Sequence, residues 1–485
     1  MLHHCGLLFI ISIMNFAQKF DTIIVGAGPC GSTTGALLAE KNHNVVIVEK
    51  EQFPRYHVGE SLMPFCYFPL QRLKLIDTLM ESKNPRKYCV QFVKENGEGS
   101  QPFYFFQHFD HPSSTTWQIE RSEFDEMIMN RAIDNGAKVL QSTKATDLIK
   151  KNDKVIGIKV ESQEFGEQSL FGNCVVDASG RDCFASLKNR WMERDPKLKK
   201  IALWTYYENA KRDPGLNEGA TTIAYLPNKG WFWYIPLKNN KVSVGIVAES
   251  NYLFNGTTRD HAEIFDREIK NNAWIQDHLK NAKQIGEYRV TGEYSYRNRH
   301  SAENGLVLGG DAFGFLDPVF SSGVFLALKS GSLLADELDS ILTSSKNFSS
   351  SSFQKYSDQM NNSIEIMRKI VYAFYDENFS FADVVKQNEK LRGLLTDCLI
   401  GNVDDKDFTE LFDSMKKYAD LPEPIKHGNP KNDVSLGELL AMRGKPFKDW
   451  KEERKYLQEK WGKQGQQIDT KKGVNSEYSA DTPQK

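Results

Sequence analysis

The start of the chain consists of two short apolar runs separated by a segment of small residues. Phe20–Val25 is a short β-branched run that ends at a glycine, and Val45–Val48 is a second, wholly apolar run. Such runs are typical of strands that are buried on both faces of a parallel sheet. Between them, the small and apolar residues from Gly31 to Lys41 predict a helix. The opening of the chain is therefore predicted to form one βαβ unit.

In the middle of the chain the pattern changes to a succession of short strands rich in β-branched and aromatic residues. Thr221–Tyr225, Trp231–Pro236 and Val242–Val247 are such runs. A series of short strands of this kind predicts an antiparallel sheet. Leu306–Leu308 then returns to the pattern of a buried strand, and a long helix is predicted from Ser322 to Leu342.

Three other segments complete the predicted elements. Cys174–Asp177 is predicted to be a further buried strand, and residues 353–425 have apolar positions at helical spacing. Trp117–Ile119 is predicted to be a strand that leads into a helix. Ser122, with Asp125 three positions later, matches the spacing of a capping box at the start of that helix.

Composition and charge restrict the class of protein. Apolar residues make up 40% and charged residues 26% of the 485 positions, which is typical of a folded chain with a large core. The 62 basic and 64 acidic residues nearly cancel. Because no basic surplus is present, we expect no nucleic-acid partner.

The cysteines indicate the cellular location of the protein, and the two ends of the chain are considered for membrane insertion and disorder. The seven cysteines form no CxxC pair, which argues against a metal site, and their odd number argues against a disulfide framework. A reducing, cytoplasmic location is favoured. The apolar run Gly6–Met14 is shorter than the roughly 20 residues of a membrane helix, so we expect no stable membrane insertion. Residues 1–19 are predicted to be a dispensable leader, and residues 428–485 a charged, partly disordered tail.

A glycine-rich segment, GAGPCG, lies between the first predicted strand and the first helix. Gly26 permits a tight turn, Gly28 lets the backbone approach a pyrophosphate, and Gly31 allows close packing of the helix, whose N-terminus faces the anion. Glu49 ends the second strand eighteen residues beyond Gly31, where a ribose 2′-hydroxyl needs an acceptor. The spacing predicts a dinucleotide-binding site.

Two later strand ends favour FAD over NAD. Asp177 ends the predicted strand that precedes Ala-Ser-Gly, and Asp311 stands in Gly-Gly-Asp-Ala after the strand Leu306–Leu308. FAD is long, and an acid at a second strand end can bind its ribityl hydroxyls while the next helix faces the flavin. The residues predicted to bind FAD are Gly26, Gly28, Gly31, Glu49 and Asp311.

Four segments carry a resemblance to the flavin-dependent halogenases. They are FPRYHVGESLMP (Phe53–Pro64), WQIERSEFD (Trp117–Asp125), GWFWYIPL (Gly230–Leu237) and GDAFGFLDPVFSSGV (Gly310–Val324). The tryptophan pair of WxWxIP is the most specific of these features. Over roughly residues 20 to 385, the chain resembles this family, within the larger aromatic-hydroxylase-like FAD superfamily.

The resemblance implies a reaction and a set of binding residues. Reduced FAD, oxygen and chloride or bromide would give hypohalous acid, with the protein supplying orientation and containment. Arg55, Ser61 and Arg121 would also contact the FAD. The backbone amides of Ser322 and Gly323 would bind the halide, because an anion needs N–H donors. No second glycine fingerprint for NAD(P)H is present, so a separate flavin reductase is expected to supply reduced FAD.

The substrate is expected to be an electron-rich aromatic molecule. The tryptophan halogenases resemble DPLESTG where this chain has Asp317-Pro-Val-Phe-Ser-Ser-Gly323, so Phe320 replaces their glutamate. An apolar residue there resembles the branch that acts on phenols, pyrroles and aromatic groups carried by an acyl carrier protein, rather than on free tryptophan. The bulky side chains expected to line a closed tunnel to the substrate are Trp231, Trp233, Ile235, Pro236 and Phe320. The aromatic-rich segment from Tyr372 to Phe381 either covers the substrate entrance or is ordinary helix packing.

Lys87 is the residue that the resemblance implies for halogen transfer. Counted from Gly59, it matches the lysine that follows a helix in the phenol-type halogenases. Its ammonium could polarise hypohalous acid, and its neutral amine could hold the oxidant as a haloamine, provided that burial lowers its pKa. Spacing alone leaves a plain surface lysine as the alternative, because most lysines are solvated.

These patterns together predict an α/β fold. It comprises a Rossmann-type, glutathione-reductase-like FAD-binding domain with a parallel sheet, an antiparallel-sheet substrate domain and a C-terminal helical region. The expected FAD-binding domain is discontinuous, over residues 20–185 and 297–345. The substrate domain is expected over 186–296 and a helical cap over 346–427.

Two other functions fit the same fold. One is an FAD-dependent monooxygenase or prenyl-reductase-like oxidoreductase that makes no hypohalous acid. The other is a flavoprotein without catalytic activity, although Lys87 and the tryptophan pair argue against it. Product mass measured with and without chloride separates the first from a halogenase, and oxygen consumption with reduced FAD tests the second.

Overall fold

The computed structural model describes residues 18–425, except for 228, 229, 257 and 293. The predicted leader, apart from its last two residues, and the predicted tail lie outside the described residues. The strands are β1 Lys19–Val25, β2 Val45–Val48, β3 Arg86–Lys87, β4 Cys89–Val93, β5 Phe103–Tyr104, β6 Thr116–Trp117, β7 Lys138–Leu140, β8 Thr143–Lys151, β9 Lys154–Ser162, β10 Gly166–Asp177, β11 Met192–Arg194, β12 Lys200–Glu208, β13 Thr221–Tyr225, β14 Trp231–Pro236, β15 Lys241–Glu249, β16 Lys283–Thr291, β17 Tyr296–Asn298, β18 Ala302–Glu303, β19 Leu306–Leu308 and β20 Gly314–Phe315. The α-helices are α1 Pro29–Glu40, α2 Tyr67–Arg72, α3 Ile76–Glu81, α4 Arg121–Asp134, α5 Phe184–Lys188, α6 Ser250–Leu253, α7 His261–Ile269, α8 Ala273–Leu279, α9 Ser322–Thr343, α10 Gln354–Tyr375, α11 Phe381–Val385, α12 Glu389–Ile400 and α13 Thr409–Met415.

The first sheet is built around five parallel strands in the order β19-β10-β1-β2-β7. Strands β8 and β9 extend β10 as an antiparallel meander, and β18 pairs antiparallel with β19. The central strands are buried on both faces, as continuous apolar runs predict. The predicted βαβ unit is confirmed, with β1 and β2 adjacent and parallel on either side of α1 in the chain.

The second sheet has seven strands in the order β16-β12-β15-β14-β13-β4-β5. All neighbours in it are antiparallel except β13 and β4. The side chains of β14 alternate between two cores: Trp231, Trp233 and Ile235 belong to the main core, whereas Phe232 and Tyr234 pack in a smaller core with helix α7. The sheet therefore presents its tryptophans towards the part of the chain that carries the glycine loop.

Two expectations from the sequence are wrong. Residues 89–104 were assigned to the FAD-binding segment, but β4 and β5 extend the second sheet, because β4 pairs with β13 some 130 residues later. Ser122 does not cap a helix either. Helix α4 begins one residue earlier, at Arg121, without a side-chain cap, and the Asp125 carboxylate binds the Arg121 guanidinium instead.

The helical region after the second sheet contains one long helix, α10, and three shorter ones. Helix α10 packs against α9, and its buried residues include Met367, Ile370 and Val371, which agree with the predicted helical spacing. Within residues 18–425, no helix combines the length and the apolar character that crossing a membrane requires.

Candidate active site

Two of the three glycines in the predicted cofactor loop are needed for close backbone packing. Gly26 has a φ of +101°, and a Cβ there would lie 2.4 Å from the Ala178 carbonyl oxygen. A Cβ on Gly31 would lie 1.9 Å from the carbonyl oxygen of Gly26. Neither position accepts a side chain, so the turn between β1 and α1 depends on both glycines.

Gly28 differs, because the space next to it is open. A Cβ on Gly28 would meet only Arg55 Nη2, at 3.6 Å. Gly28 is the N-cap of α1, Pro29 is its first residue, and no side chain caps the helix. The first amides of a helix attract an anion, and a guanidinium stands beside them. These residues fit the pyrophosphate of FAD.

Glu49 is held in place by two backbone amides. Its Oε2 accepts a hydrogen bond from the Ala27 N–H at 2.8 Å, and its Oε1 accepts one from the Glu51 N–H at 3.0 Å. The carboxylate is buried at the end of β2, next to the glycine loop. Each oxygen keeps a second lone pair, which fits a ribose hydroxyl as donor.

Arg55 and Arg121, both predicted to contact the cofactor, share one carboxylate. Arg121 donates from Nε and Nη2 to the two oxygens of Asp125, at 2.7 and 2.9 Å, and Arg55 Nη1 lies 3.2 Å from Asp125 Oδ2. Arg121 Nη1 donates to the Val58 carbonyl at 2.8 Å. Asp125 thus orients both guanidinium groups, and it is a site residue that the sequence analysis took for a helix cap.

The two strand-end acids have different environments. Asp177 accepts hydrogen bonds from the backbone amides of Ser179 and Ala185, so it is satisfied by its own turn. The Asp311 carboxylate forms no hydrogen bond within the described residues, and loss of solvent raises its pKa to about 6, partly offset by Arg181 and Arg121. A carboxylate with free acceptor positions fits the ribityl hydroxyls, as predicted for Asp311.

The predicted halide turn is a tight turn that leads into a helix whose first residue, Ser322, is buried. Ser321 adopts a left-handed conformation, with φ of 57°, and α9 begins at the next residue. Asp317 Oδ1 accepts a hydrogen bond from the Val319 N–H at 3.0 Å and so shapes the turn before it. The amides of Ser322 and Gly323 belong to the first turn of the helix, where amides have no intrahelical partner.

Lys87 lies in the interior, on the short strand β3. Only 2% of its surface is exposed, and its Nζ donates to Ser61 Oγ at 2.8 Å and to the Leu62 carbonyl at 3.0 Å. No acidic side chain of the described residues forms an ion pair with it. Burial lowers its pKa to about 7, and the thiols of Cys66 and Cys89 offset this only in part. Both the charged ammonium and the neutral amine of Lys87 are therefore populated near neutral pH.

The hydroxyl group of Ser61 takes part in hydrogen bonds around Lys87, whereas the resemblance implied that it contacts FAD. Besides accepting from Lys87, its hydroxyl bonds the Thr221 hydroxyl at 2.7 Å. Thr221 also accepts from Gln118 Nε2 at 2.9 Å. The structure thus places Ser61 in the surroundings of Lys87, and its predicted contact with FAD stays a prediction.

The tryptophan pair forms part of a continuous aromatic wall. The Trp233 indole lies on Gly245 of the neighbouring strand, where a Cβ would come within 2.2 Å of the ring. The rings of Trp231 and Trp233 are 6.3 Å apart, and Trp204 lies 6.2 Å beyond Trp233. Ile235 and Pro236 continue the same buried strand.

Phe320 joins this wall to the helical region. Its ring packs edge-on against Phe374, at 5.8 Å, and against Phe381, at 6.0 Å. Phe374 in turn lies 6.4 Å from Trp231. The structure thus brings the aromatic segment of the helical region and the predicted tunnel residues into one cluster.

Sequence reasoning missed several polar residues that the fold brings to this region. Glu60 is buried directly before Ser61, and the Tyr206 hydroxyl reaches it from β12, while Trp204 of the same strand bonds Tyr56. Glu60 lies within the segment Phe53–Pro64, but no spacing in the sequence marks it as a functional residue. Tyr206 is 146 residues away in the chain, and only the pairing of the second sheet places it there.

Comparisons with known proteins agree with this geometry. The family model described as "Tryptophan halogenase" matches residues 21–114 and 107–384. A 1H-pyrrole-2-carbonyl-[peptidyl-carrier protein] chlorinase of Pseudomonas fluorescens is 27% identical over 88% of this chain and 99% of its own length. A corresponding brominase of Pseudoalteromonas luteoviolacea is 29% identical over 75% of this chain and 87% of its own length.

The solved structure of the flavin-dependent brominase Bmp2 superposes with a TM-score of 0.76, at 27% identity, over 82% of this chain and 98% of that chain. Membership of one enzyme family therefore explains the fold, the predicted FAD-binding loop and the motif segments. The chain belongs to the tryptophan halogenase family, and it is an FAD-dependent halogenase.

Proposed function

We propose that this enzyme halogenates a pyrrole-like aromatic ring that is carried as a thioester on a carrier protein. Its relatives include a chlorinase of pyrrole-2-carbonyl groups on a peptidyl carrier protein, matched over 99% of its own length, and a corresponding brominase, matched over 87% of its own length. Phe320 supports an electron-rich substrate, because an apolar side chain replaces an acid that could assist a less reactive ring. Such rings react with weakly activated halogen donors.

The observation that carries the mechanism is the burial of Lys87. When bound, reduced FAD supplies two electrons, which with oxygen and halide give hypohalous acid. Lys87 is buried, and burial lowers its pKa to about 7. Within the described residues it has two hydrogen-bond acceptors, the Ser61 hydroxyl and the Leu62 carbonyl. An ammonium there would donate to the hypohalous oxygen, and a neutral amine would exchange a proton for the halogen. Either form keeps the oxidant close to the substrate.

The remaining roles follow from the same geometry. The amides of Ser322 and Gly323 hold the halide at the start of α9, and Gly28, Glu49, Arg55, Arg121 and Asp311 hold FAD. Trp231, Trp233 and Phe320 line the closed path from the flavin to the substrate and keep flavin and substrate apart. Reduced FAD comes from a separate flavin reductase. A cytoplasmic setting is supported by the six cysteines of the described residues, all of which are buried, free thiols.

The decisive experiment combines the purified protein with a flavin reductase, NADH, FAD, oxygen and either chloride or bromide. The substrates compared are pyrrolyl-2-carbonyl carrier protein, a free phenol, free pyrrole-2-carboxylate and free tryptophan. We expect a mass increase of one halogen on the carrier-bound pyrrole only when halide is present. Halogenation of free tryptophan in preference to the carrier-bound pyrrole would contradict the proposed substrate, and a hydroxylated product formed without halide would contradict the proposed chemistry.

A further inference from the structure

A row of hydroxyl groups leads from the protein surface to the buried carboxyl group of Glu60. Tyr56 is 43% exposed, and its hydroxyl lies 2.9 Å from the hydroxyl of Tyr206. The Tyr206 hydroxyl donates to Glu60 Oε1 at 2.8 Å. Only 4% of Glu60 is exposed. Two side chains of one short segment, Tyr56 and Glu60, are thus joined through the distant Tyr206 into one unbroken hydrogen-bonded path.

The donors along this path all point inwards. Trp204 Nε1 donates to the Tyr56 hydroxyl at 2.7 Å, and an indole N–H can only donate. The Tyr56 oxygen is therefore an acceptor for Trp204, and its own proton can pass to Tyr206. Tyr206 donates to Glu60 in the same sense. Trp204 thus fixes the orientation of the path.

The far oxygen of Glu60, Oε2, is buried and forms no hydrogen bond of normal distance and angle within the described residues, although the Ser243 hydroxyl is close enough to lower the pKa of Glu60. Burial raises the pKa of Glu60 to about 7, although Ser243, Tyr206 and Lys241 partly offset it. A buried carboxylate oxygen without a donor is unfavourable, whereas a protonated oxygen becomes a donor itself. Near neutral pH, Oε2 can therefore hold an exchangeable proton.

This carboxyl lies among the groups assigned to cofactor, halide and halogen transfer. Glu60 directly follows Gly59, where a Cβ would lie 3.0 Å from Arg121 Nη1 and 3.9 Å from Val324 of helix α9. It directly precedes Ser61, which holds Lys87. The Ser243 hydroxyl, which affects the pKa of Glu60, accepts a hydrogen bond from the Trp233 indole at 3.1 Å.

We propose that Tyr56, Tyr206 and Glu60 form a proton relay between solvent and the active site. The inference rests on the proposed function for its purpose, because halogenation consumes one proton: FADH2, O2, the halide ion, the aromatic C–H substrate and H+ give FAD, the halogenated product and two H2O. A site walled by tryptophan excludes bulk water, so this proton needs a path. Glu60 releases the proton on Oε2, Tyr206 passes its proton to Oε1, Tyr56 passes its own to Tyr206, and solvent protonates Tyr56.

The charged groups near the relay affect the protonation state of Glu60, but they do not replace any hydrogen bond of the path. Lys241 favours the charged form of Glu60, and Glu120 opposes it. The Arg289 guanidinium lies 3.9 Å from the ring centre of Tyr56, at the outer end. The pKa of Tyr206 is raised far above its usual range by burial and by the Glu60 carboxyl, so the tyrosine stays protonated between transfers. The protons therefore move together along the path.

The first test measures exchange of the Glu60 proton rather than activity. The full-length protein with oxidised FAD bound and with 13C-labelled glutamate is mixed rapidly with D2O, and the carbonyl stretch of protonated carboxyl groups is followed by infrared spectroscopy. A band absent from Glu60→Gln identifies the residue. We expect rapid exchange in the wild type, and exchange slowed roughly tenfold or more in Tyr206→Phe and Tyr56→Phe. A Glu60 that is never protonated between pH 5 and 8, or equal exchange rates in all variants, would overturn the relay.

A matched control is available elsewhere in the chain. The Tyr252 hydroxyl donates to Oε2 of the buried Glu268, at the same 2.8 Å, away from the candidate active site. Tyr252→Phe removes the same kind of bond and should leave exchange at Glu60 unchanged. Slowed exchange in this variant would mean that general loosening or tightening of the fold controls the rate.

The second test separates the relay from the proposed function. Tyr206→Phe should bind FAD normally, and its halogenation rate should fall roughly tenfold with an increased solvent isotope effect. A wild type that forms no halogenated product contradicts the proposed function, while the exchange result still decides the relay. A variant with full turnover and an unchanged solvent isotope effect contradicts the relay, while the halogenated product supports the function.

Discussion

The indole nitrogen of Trp231 donates a hydrogen bond to the Tyr375 hydroxyl, 2.8 Å away. That hydroxyl donates to Asp317 Oδ2 at 2.9 Å, and Tyr294 reaches the same oxygen at 3.3 Å. The end of helix α10 is thereby bonded both to the tryptophan strand and to the loop that precedes the halide turn. The helical region is therefore part of the candidate active site.

Tyr375→Phe should loosen this connection. The change leaves the Trp231 N–H without its acceptor and removes one donor from Asp317, and an unsatisfied buried group costs about 1–3 kcal/mol. We expect the free energy of unfolding in urea to fall by that amount and the KM for the aromatic substrate to rise. Tyr418→Phe, at a tyrosine that is 41% exposed, is the control and should change neither. Equal stability of the two variants would show that the bond has no net effect.

Lys87→Ala should separate oxidant formation from halogen transfer. The variant should bind FAD and consume oxygen, but halogenated product should fall roughly 100-fold or more, as expected on loss of a positioned proton donor. Lys87→Arg distinguishes the two chemical forms, because a guanidinium cannot form the haloamine. Product is measured by mass spectrometry, with the exposed Lys83→Ala as control. Near wild-type halogenation by Lys87→Ala would exclude Lys87 as the transfer group.

Stability should also depend on pH through Lys87. Its pKa is lowered from 10.5 to about 7 in the folded chain, so between these values the unfolded chain binds the extra proton. The stability that this group contributes is thus present above pH 10.5 and is lost as pH falls to 7, with a slope of about 1.4 kcal/mol per pH unit. Lys87→Met, which is never charged, should be more stable than the wild type near pH 7, and this difference should shrink at pH 9. Urea unfolding at fixed excess FAD measures it, and a difference independent of pH would refute the shifted pKa.

Gly28→Val and Gly31→Val should fail in different ways. A side chain at Gly28 meets only Arg55, so the variant should fold but should not bind FAD, because the branched side chain occupies the pyrophosphate position. A side chain at Gly31 collides with the Gly26 carbonyl, so that variant should not yield folded protein. Flavin absorbance and circular dichroism distinguish these outcomes. A yellow, fully loaded Gly28→Val protein would place the pyrophosphate elsewhere.

Gly323→Val tests the halide turn. A Cβ at this position lies 3.6 Å from the Phe315 ring, an ordinary contact, so Gly323→Ala should be tolerated. The branched valine should crowd the amides and raise the halide concentration needed for half-maximal turnover, measured with chloride and bromide separately. An unchanged halide dependence in Gly323→Val would remove these amides from the halide site.

Local patterns predicted the elements of this fold where burial alone determines them. The strands Val45–Val48, Trp231–Pro236 and Leu306–Leu308 have the predicted bounds. One error arises where a strand distant in the sequence determines the pairing, and the other where a charged neighbour on the same helix competes with the helix amides. Cys89–Val93 joins the second sheet because of its pairing with β13, and Asp125 binds Arg121 rather than a helix amide.

In the candidate site, too, local features could be predicted from the sequence, while contacts between separate segments could not. Glycine spacing predicted the FAD loop, and the resemblance implied the halide turn and Lys87, because each can be recognised within one short segment of the chain. The roles of these residues stay predictions. The burial of Lys87 and its Ser61 and Leu62 acceptors could not be predicted from spacing, since they depend on how two segments pack. The path from Tyr56 to Glu60 was missed for the same reason, because Tyr206 comes from the middle of the second sheet.

Helix α9, which begins at the halide turn, crosses helix α1, which begins at the cofactor loop, with almost no space between them. A Cβ on Gly331 would lie 2.6 Å from the Cys30 carbonyl oxygen, so backbone rests against backbone at the crossing. The separation between the first turns of the two helices, where FAD and halide are predicted to bind, is thus set by backbone contact that no side chain can adjust. We therefore expect substitutions that change halide or substrate preference to act on the turn, the aromatic wall and the helical region, and not on the spacing between the predicted cofactor and halide positions.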